Sequence, residues 1–144
     1  MKIKKDKWGK KQVFVLNVAP YRQDCVVIIN GQFSDAIEVF KKNKKAKGSQ
    51  LNLQHIEENK EGYAEVYIPN SGAGVLYTEL PKGYVMMVSH ETSWIETVGT
   101  ISHECLHLAQ YVLRRAGITE TKESEEAYTY LHSNILKQVL EKLY

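Results

Sequence analysis

The segment His103-Glu104-Cys105-Leu106-His107 has the spacing H-E-x-x-H. Residues at i and i+4 differ by about 40° around a helix, so both imidazoles project from one face toward one point. Imidazole nitrogens bind zinc at about 2.0–2.1 Å. Glu104 is expected beside the metal, where it can take a proton from an activated water and pass it to a leaving amine. The spacing therefore predicts a zinc site with hydrolytic chemistry.

Helical spacing places the two histidines away from the apolar side of their helix. That apolar side is formed by Val98, Ile101, Cys105, Ala109 and Val112, and the histidines lie nearly opposite, with Thr100, Gln110 and Arg114. His103 and His107 are therefore not core residues, and the remaining alternative to a metal site is a solvated face. Cys105 lies on the apolar side, so we interpret it as a core residue and not as a ligand.

A catalytic zinc needs a third protein ligand and an open position for water. The metzincin pattern requires Gly and His at two later positions, which Gln110 and Leu113 occupy here, so that class is excluded. The other common solution is a glutamate on a following helix.

A second helix is predicted to start near Thr121, with several acidic residues in its first turns. In that helix Glu123 and Glu126 share a face with Tyr130, and Glu125 lies on another side. Acidic residues are also favoured at a helix N-terminus by the helix dipole alone, so the spacing by itself does not choose a ligand.

Alternating and helical patterns predict the elements that position these residues. Ser93 with Glu96 forms a capping-box signature at the start of the first long helix, and Gly117 ends it. Strands are predicted over 12–18, 25–29 and 62–68, and a hairpin has strands 75–80 and 84–89 around the turn residues Pro81-Lys82-Gly83. A shorter helix is predicted from Ser34 to about Lys45. The second long helix has an apolar stripe formed by Tyr128, Leu131, Ile135 and Val139. About five strands, one helix among them and two long helices predict an α+β domain.

The composition of the chain excludes several classes of protein. The chain has 144 residues, 43% of them apolar, which predicts one domain over 1–144, with 1–10 as a loose basic arm. No apolar run is long enough for a membrane helix, and Val13–Val18 is too short for the apolar part of a signal peptide. We therefore expect a cytoplasmic protein without a membrane partner. The two cysteines have neither metal nor redox spacing.

The net charge of +2 conceals a split along the chain. Residues 1–47 carry twelve Lys/Arg against four Asp/Glu, and residues 48–144 carry seven against thirteen. A basic segment can bind nucleic acid, but neither a nucleic-acid motif nor interleaved aromatic residues accompany these lysines. The pattern favours a solvated surface over nucleic-acid binding.

Three segments together resemble small zinc metallopeptidases of the gluzincin type, many of them phage-encoded or carried in prophages: ISHECLHLAQ (101–110), RRAGI (114–118) and EEAYTYL (125–131). The resemblance covers 83–140 well and the first 80 residues only in outline. It implies a zincin-like fold, Zn²⁺ as cofactor and a peptide or protein substrate. It also implies Glu126, 19 residues after His107, as the third ligand, although Glu125 stands where this family commonly has Asp.

The resemblance also implies a hydrogen-bond donor for the oxyanion of the tetrahedral intermediate. Tyr130 is the best candidate, and Tyr128, His132 and His90 are others; the alternative for each is a packing aromatic residue or a surface histidine. The strand over 84–89 would be either an edge strand that pairs with extended substrate or an ordinary hairpin strand with Val85 and Met87 inward. The alternative function is a zincin-fold module, weakly active or inactive, that contacts nucleic acid or a partner protein through its Lys-rich N-terminal part.

Overall fold

The computed structural model describes residues 10–21, 23–42, 73–79, 82–89 and 93–143. Within these ranges the chain forms four strands and three helices: β1 (Gln12–Val18), β2 (Gln23–Ile29), α1 (Phe33–Lys42), β3 (Gly74–Glu79), β4 (Lys82–Val88), α2 (Trp94–Arg115) and α3 (Glu125–Leu143). The predicted α+β class is confirmed. The predicted strand over 62–68 lies outside the described residues.

The four strands form one mixed sheet in the order β1-β2-β4-β3. β1 is antiparallel to β2, and β3 is antiparallel to β4, as the predicted hairpin requires. β2 and β4 are parallel, which requires a long crossover, and α1 lies within that crossover. Lys82 and Gly83, predicted as turn residues, instead pair with Glu79 and Thr78 and belong to β4.

The edge-strand alternative for 84–89 is wrong, and the alternative of a hairpin strand with Val85 and Met87 buried is confirmed. Tyr84 to Val88 pairs with β2 on one side, and β4 pairs with β3 on the other. The outermost described strands are therefore β1 and β3. Local alternation predicts that a segment is a strand, but its neighbours in the sheet depend on pairing with distant residues.

One face of the sheet packs against α2 and α3 to form the main core. Alternate strand residues contribute to it, including Leu16, Val18, Cys25, Val27, Ile29, Val75, Tyr84, Met86 and Val88. Val26 and Ile28 on the opposite face of β2 are also buried, and α1 contacts β1, β2 and β4. Among the described helices, none combines the length and apolar character needed to cross a membrane.

The ends of α2 follow from local sequence. The Ser93 Oγ accepts a hydrogen bond from the Glu96 N–H at 3.2 Å, as the capping-box signature predicts. At the other end Gly117 has φ +81°, its N–H donates to the Arg114 carbonyl, and the Ile118 N–H donates to the Leu113 carbonyl. This is a Schellman motif, in which a positive φ favours glycine, and it confirms Gly117 as the predicted stop.

The predicted start of α3 near Thr121 is wrong, because the helix begins at Glu125. The Thr121 N–H donates to Ser124 Oγ at 2.8 Å, and the Ser124 N–H donates to Thr121 Oγ1 at 3.3 Å. These reciprocal bonds have the pattern of a capping box, and the turn over 121–124 that they close leads into the helix. The predicted apolar stripe of α3 is confirmed, since Tyr128, Leu131, Ile135 and Val139 are its buried residues.

Candidate metal centre

The two histidines of H-E-x-x-H lie side by side on α2. Their Nε2 atoms are 3.1 Å apart, and the ring centroids are 4.7 Å apart with the rings 75° from coplanar. The His103 side chain is exposed and the His107 side chain is half-buried. The spacing therefore gives the predicted convergence of the two imidazoles on the solvent side of the helix.

The separation of the histidine nitrogens fits a metal ion. Two nitrogens bound to one tetrahedral zinc at about 2.0–2.1 Å lie about 3.3 Å apart, close to the distance between these Nε2 atoms. With the ring hydrogen on Nδ1, each Nε2 keeps a lone pair for the metal. The pair can thus supply two ligands without rearrangement of α2.

Glu104 is buried, with 5% of its surface exposed, although it is flanked in sequence by an exposed histidine. Among the described residues no group donates a hydrogen bond to its carboxylate. Burial raises the pKa of Glu104, and the neighbouring imidazoles of His103 and His107 oppose this effect. A carboxylate whose pKa is raised toward neutrality is a better general base, and a buried carboxylate without a partner is typical of functional sites.

Cys105, the third residue of the motif, is fully buried in the main core. Burial raises the pKa of its thiol to about 12, and burial also raises the pKa of the core thiol of Cys25. Both cysteines are free and neutral at physiological pH. The structure thus supports the interpretation of Cys105 as a core residue.

The acidic residues of the second helix are not gathered around the histidines. Glu125 and Glu126 are exposed in the first turn of α3, and Glu123 lies in the preceding turn, so the predicted shared helix face of Glu123 and Glu126 is absent. Within the described ranges, no three His, Cys, Asp or Glu side chains converge as a metal site. The structure brings together His103 and His107 but does not add Glu126 to them.

The two acidic residues of α3 differ in their relation to α2. His132, on α3, contacts Ser102 of α2, and so marks the side of α3 that faces α2. At 100° per residue, Glu125 lies within about 20° of the direction of His132, and Glu126 lies about 120° from it. The helix geometry favours Glu125, whereas the resemblance implies Glu126.

The candidate oxyanion donors have separate environments. Tyr130 is 73% exposed and lines a groove of about 610 Å³ with Ala19, Pro20 and Tyr21. The Tyr128 hydroxyl donates a hydrogen bond to the Ile118 carbonyl. Tyr128 is therefore already engaged in tying α3 to the preceding connection. His132 contacts Ser102, and His90 lies outside the described residues.

Tyr111 is a residue at this site that sequence reasoning missed. Its ring is stacked on that of His107, with centroids 6.1 Å apart and planes at 21°. Tyr111 is four residues after His107, just as His107 is four after His103, so the i, i+4 spacing could have revealed it. The aromatic ring extends the exposed face that carries the two imidazoles.

The basic N-terminal part is described only in fragments. Lys11 forms an ion pair with Asp35 at 3.0 Å, which ties the start of β1 to α1. Residues 1–9 and 43–47, which hold most of the lysines, lie outside the described residues. The prediction of a loose basic arm and the alternative of a nucleic-acid or protein-binding module therefore stay predictions.

Comparison of the chain with protein-family models, with curated proteins and with solved structures finds no match. The arguments about function therefore depend on the residues of the site and on their geometry.

Proposed function

We propose that this protein is a zinc-dependent metallopeptidase of the gluzincin type. The observation that carries the proposal is the geometry of H-E-x-x-H on α2. One exposed and one half-buried imidazole present Nε2 atoms 3.1 Å apart, and the carboxylate between them in sequence is buried without a hydrogen-bond donor among the described residues. A solvated helix face accounts for the histidines but not for the buried carboxylate.

His103 and His107 would hold the metal through their Nε2 atoms. The third ligand is a carboxylate of the pair Glu125 and Glu126, with Glu126 implied by the resemblance. When bound, zinc supplies a Lewis acid that polarises the substrate carbonyl and lowers the pKa of a water molecule. Three protein ligands leave one position open, as catalytic zinc sites require.

Glu104 performs the proton transfers. As a carboxylate it accepts one proton from the attacking water while the water oxygen forms a bond to the carbonyl carbon of the substrate. The same proton is then delivered to the amide nitrogen as the C–N bond breaks, so that an amine leaves. Burial raises the pKa of Glu104 and thereby makes its carboxylate a stronger base for the first transfer.

The sheet offers a position for an extended substrate. β3 is an outermost strand of the described sheet, and α2 contacts both β3 and β4. A peptide that adds to β3 by backbone hydrogen bonds would lie on the side of the sheet next to the active-site helix. This assigns to β3 the role that the sequence had predicted for the following strand.

Metal analysis and cleavage assays test the proposal together. We expect the purified chain to contain about one zinc per molecule, and to cleave members of a library of unstructured peptides followed by mass spectrometry. A chelator should abolish cleavage and added zinc should restore it. His107→Ala should lose both zinc and cleavage, because one of two converging imidazoles is removed.

Gln110→Ala is the matched control, because Gln110 lies on the same helix within one turn of His107 and is not a proposed ligand. It should keep both zinc and cleavage. A wild-type chain that binds no zinc when metal is supplied, or a zinc-loaded chain that cleaves no peptide in the library, would contradict the proposal.

A further inference from the structure

His132 makes a directed contact between the two long helices. It is half-buried on α3, and its Nε2 lies 3.0 Å from the carbonyl oxygen of Ser102 and 3.3 Å from Ser102 Oγ. A carbonyl oxygen can only accept, so the short contact requires the hydrogen on Nε2 of His132. Ser102 immediately precedes His103, so the bond reaches the turn of α2 that carries the first histidine.

The His132–Ser102 hydrogen bond is directional, unlike the apolar packing around it. The buried stripe of α3, formed by Tyr128, Leu131, Ile135 and Val139, consists mainly of side chains whose apolar contacts have no preferred direction. A shift of one helix along the other by one turn is about 5.4 Å. Such a shift would lengthen the His132–Ser102 contact to about 6 Å, beyond hydrogen-bond range, whereas apolar side chains could repack. The bond therefore selects one axial register.

The register of α3 determines where its acidic residues lie relative to the histidines. Glu126 and Glu125 precede His132 by six and seven residues, which is about 9 Å and 10.5 Å along a helix. All three residues belong to the same continuous helix, so a position fixed at His132 also fixes the acidic pair along the axis.

We infer that His132 is a positioning residue, which fixes the axial register of α3 against α2 and thereby determines where the acidic pair of its first turn lies relative to a metal held by His103 and His107. This inference rests on the proposed function. His132 does not touch the metal or the substrate in this role, and it acts through the carbonyl of Ser102. It explains why a polar side chain lies at the interface between two helices that otherwise pack through apolar residues.

The test compares variants of His132 by their affinity for zinc and by the visible absorption spectrum of the Co²⁺-loaded chain. His132→Phe keeps a ring but removes the donor. We expect about a 10-fold weaker zinc affinity in a competition titration with a chromophoric chelator, as for other supporting partners of metal ligands. We also expect weaker Co²⁺ absorption, because loss of the third protein ligand favours higher coordination by water.

Two amide variants provide a second test for the case in which His132→Phe does not fold. Gln places its amide nitrogen near the position of Nε2, so His132→Gln should keep wild-type affinity and spectrum. Asn is equally polar but too short to reach Ser102, so His132→Asn should behave like His132→Phe. Circular dichroism of each metal-free variant verifies that it is folded.

Gln138→Met is the matched control on the same helix. Gln138 donates to the carbonyl of Asn17 at 3.3 Å, and so ties α3 to β1 and not to α2. Its loss should leave zinc affinity and the Co²⁺ spectrum unchanged. Equal losses for Gln138→Met and His132→Phe, or unchanged affinity in both His132→Phe and His132→Asn, would overturn the positioning role. A wild-type chain that binds no zinc would instead overturn the proposed function on which it rests.

Discussion

Two regions of the molecule carry the proposed zinc ligands, and their geometry is determined in different ways. On α2, five consecutive residues bring two imidazoles within 3.1 Å, and no other part of the chain is needed for this. On α3, Glu125 and Glu126 are exposed, and their position relative to the histidines depends on how two helices pack. The contrast separates a geometry encoded by local spacing from one that requires the tertiary fold.

The comparison shows where a small metal site is robust and where it is sensitive. The histidine pair persists in any fold that keeps α2 helical, because i, i+4 neighbours are fixed by the helix itself. A third ligand from α3 reaches the metal only if that helix has the required rotation about its axis and the required register along α2. Substitutions in α2 should therefore act on chemistry or on individual ligands, and substitutions in α3 should act through packing.

The largest expected effect comes from Glu104, which is part of the local motif on α2 and is also buried in the tertiary structure. Glu104→Gln should lower kcat/KM by about 10²- to 10⁴-fold, because the general base is lost. Zinc content should stay at the wild-type level, since both imidazoles remain. Glu96→Gln, on an exposed residue at the start of the same helix, should leave cleavage unchanged, and a Glu104→Gln variant with normal activity would disprove the assigned role.

Ile135→Ala should weaken the packing of α3 without changing any residue of α2. Ile135 is fully buried on α3, and loss of such a side chain costs about 2–5 kcal/mol of the free energy of unfolding. Urea unfolding of the metal-free chain measures the loss. Ser133→Ala, at an exposed position of the same helix, should change the stability by less than about 0.5 kcal/mol. Similar losses for both variants would show that the buried stripe does not hold α3.

Glu126→Gln and Glu125→Gln test which residue of the acidic pair binds zinc. Loss of the third ligand should weaken zinc binding by at least about 10-fold, because even outer partners of metal ligands cost about 10- to 100-fold. The resemblance predicts this loss for Glu126→Gln and wild-type affinity for Glu125→Gln, measured by chelator competition. The reverse result would agree with the direction of His132 and would assign the ligand to Glu125.

The smallest effect is expected from Asp35→Asn, at a locally encoded cap far from the histidines in sequence. Asp35 Oδ2 accepts from the Gln32 N–H at 2.8 Å, which is half of a capping box at the start of α1. Asn replaces a charged acceptor by a neutral one, so we expect a loss of about 1 kcal/mol of the free energy of unfolding at pH 7. Zinc affinity should not change.

The effect of Asp35 should depend on pH in a defined direction. The backbone N–H of Gln32, together with Lys11, holds the pKa of Asp35 below its ordinary value. Its ionised form therefore stabilises the folded state at pH 7, and this contribution is lost as the pH falls below about 4. The difference in stability between wild type and Asp35→Asn should shrink from pH 7 to pH 3, and a constant difference would argue against an ionised cap.

The features that sequence predicts correctly depend on few neighbouring residues. Ser93 caps α2, Gly117 ends it, and the two histidines converge, because each requires only contacts within about five residues. The apolar stripe of α3 is also predicted, since helical period selects it directly. Local chemistry is sufficient in each case.

The features that sequence reasoning missed depend on distant pairing or on competing local bonds. The central place of β4 follows from parallel pairing with β2, which no local pattern specifies. α3 begins only after a turn closed by the mutual bonds of Thr121 and Ser124, and the acidic residues nearby do not distinguish that turn from the helix. The burial of Glu104 depends on the packing of α2 in the tertiary structure, which the local motif does not specify.

The burial of Glu104 predicts the order in which the residues of the site would be replaced in descendants that lose activity. A buried carboxylate without a donor among the described residues lowers the stability of the fold, and the proposed function gives it a catalytic role that would offset this cost. Lineages that no longer cleave a substrate would therefore gain stability by replacing Glu104 with glutamine or an apolar residue. The exposed His103 carries no such cost and can persist. Among decayed descendants of this chain, the glutamate should vanish first and the histidines later.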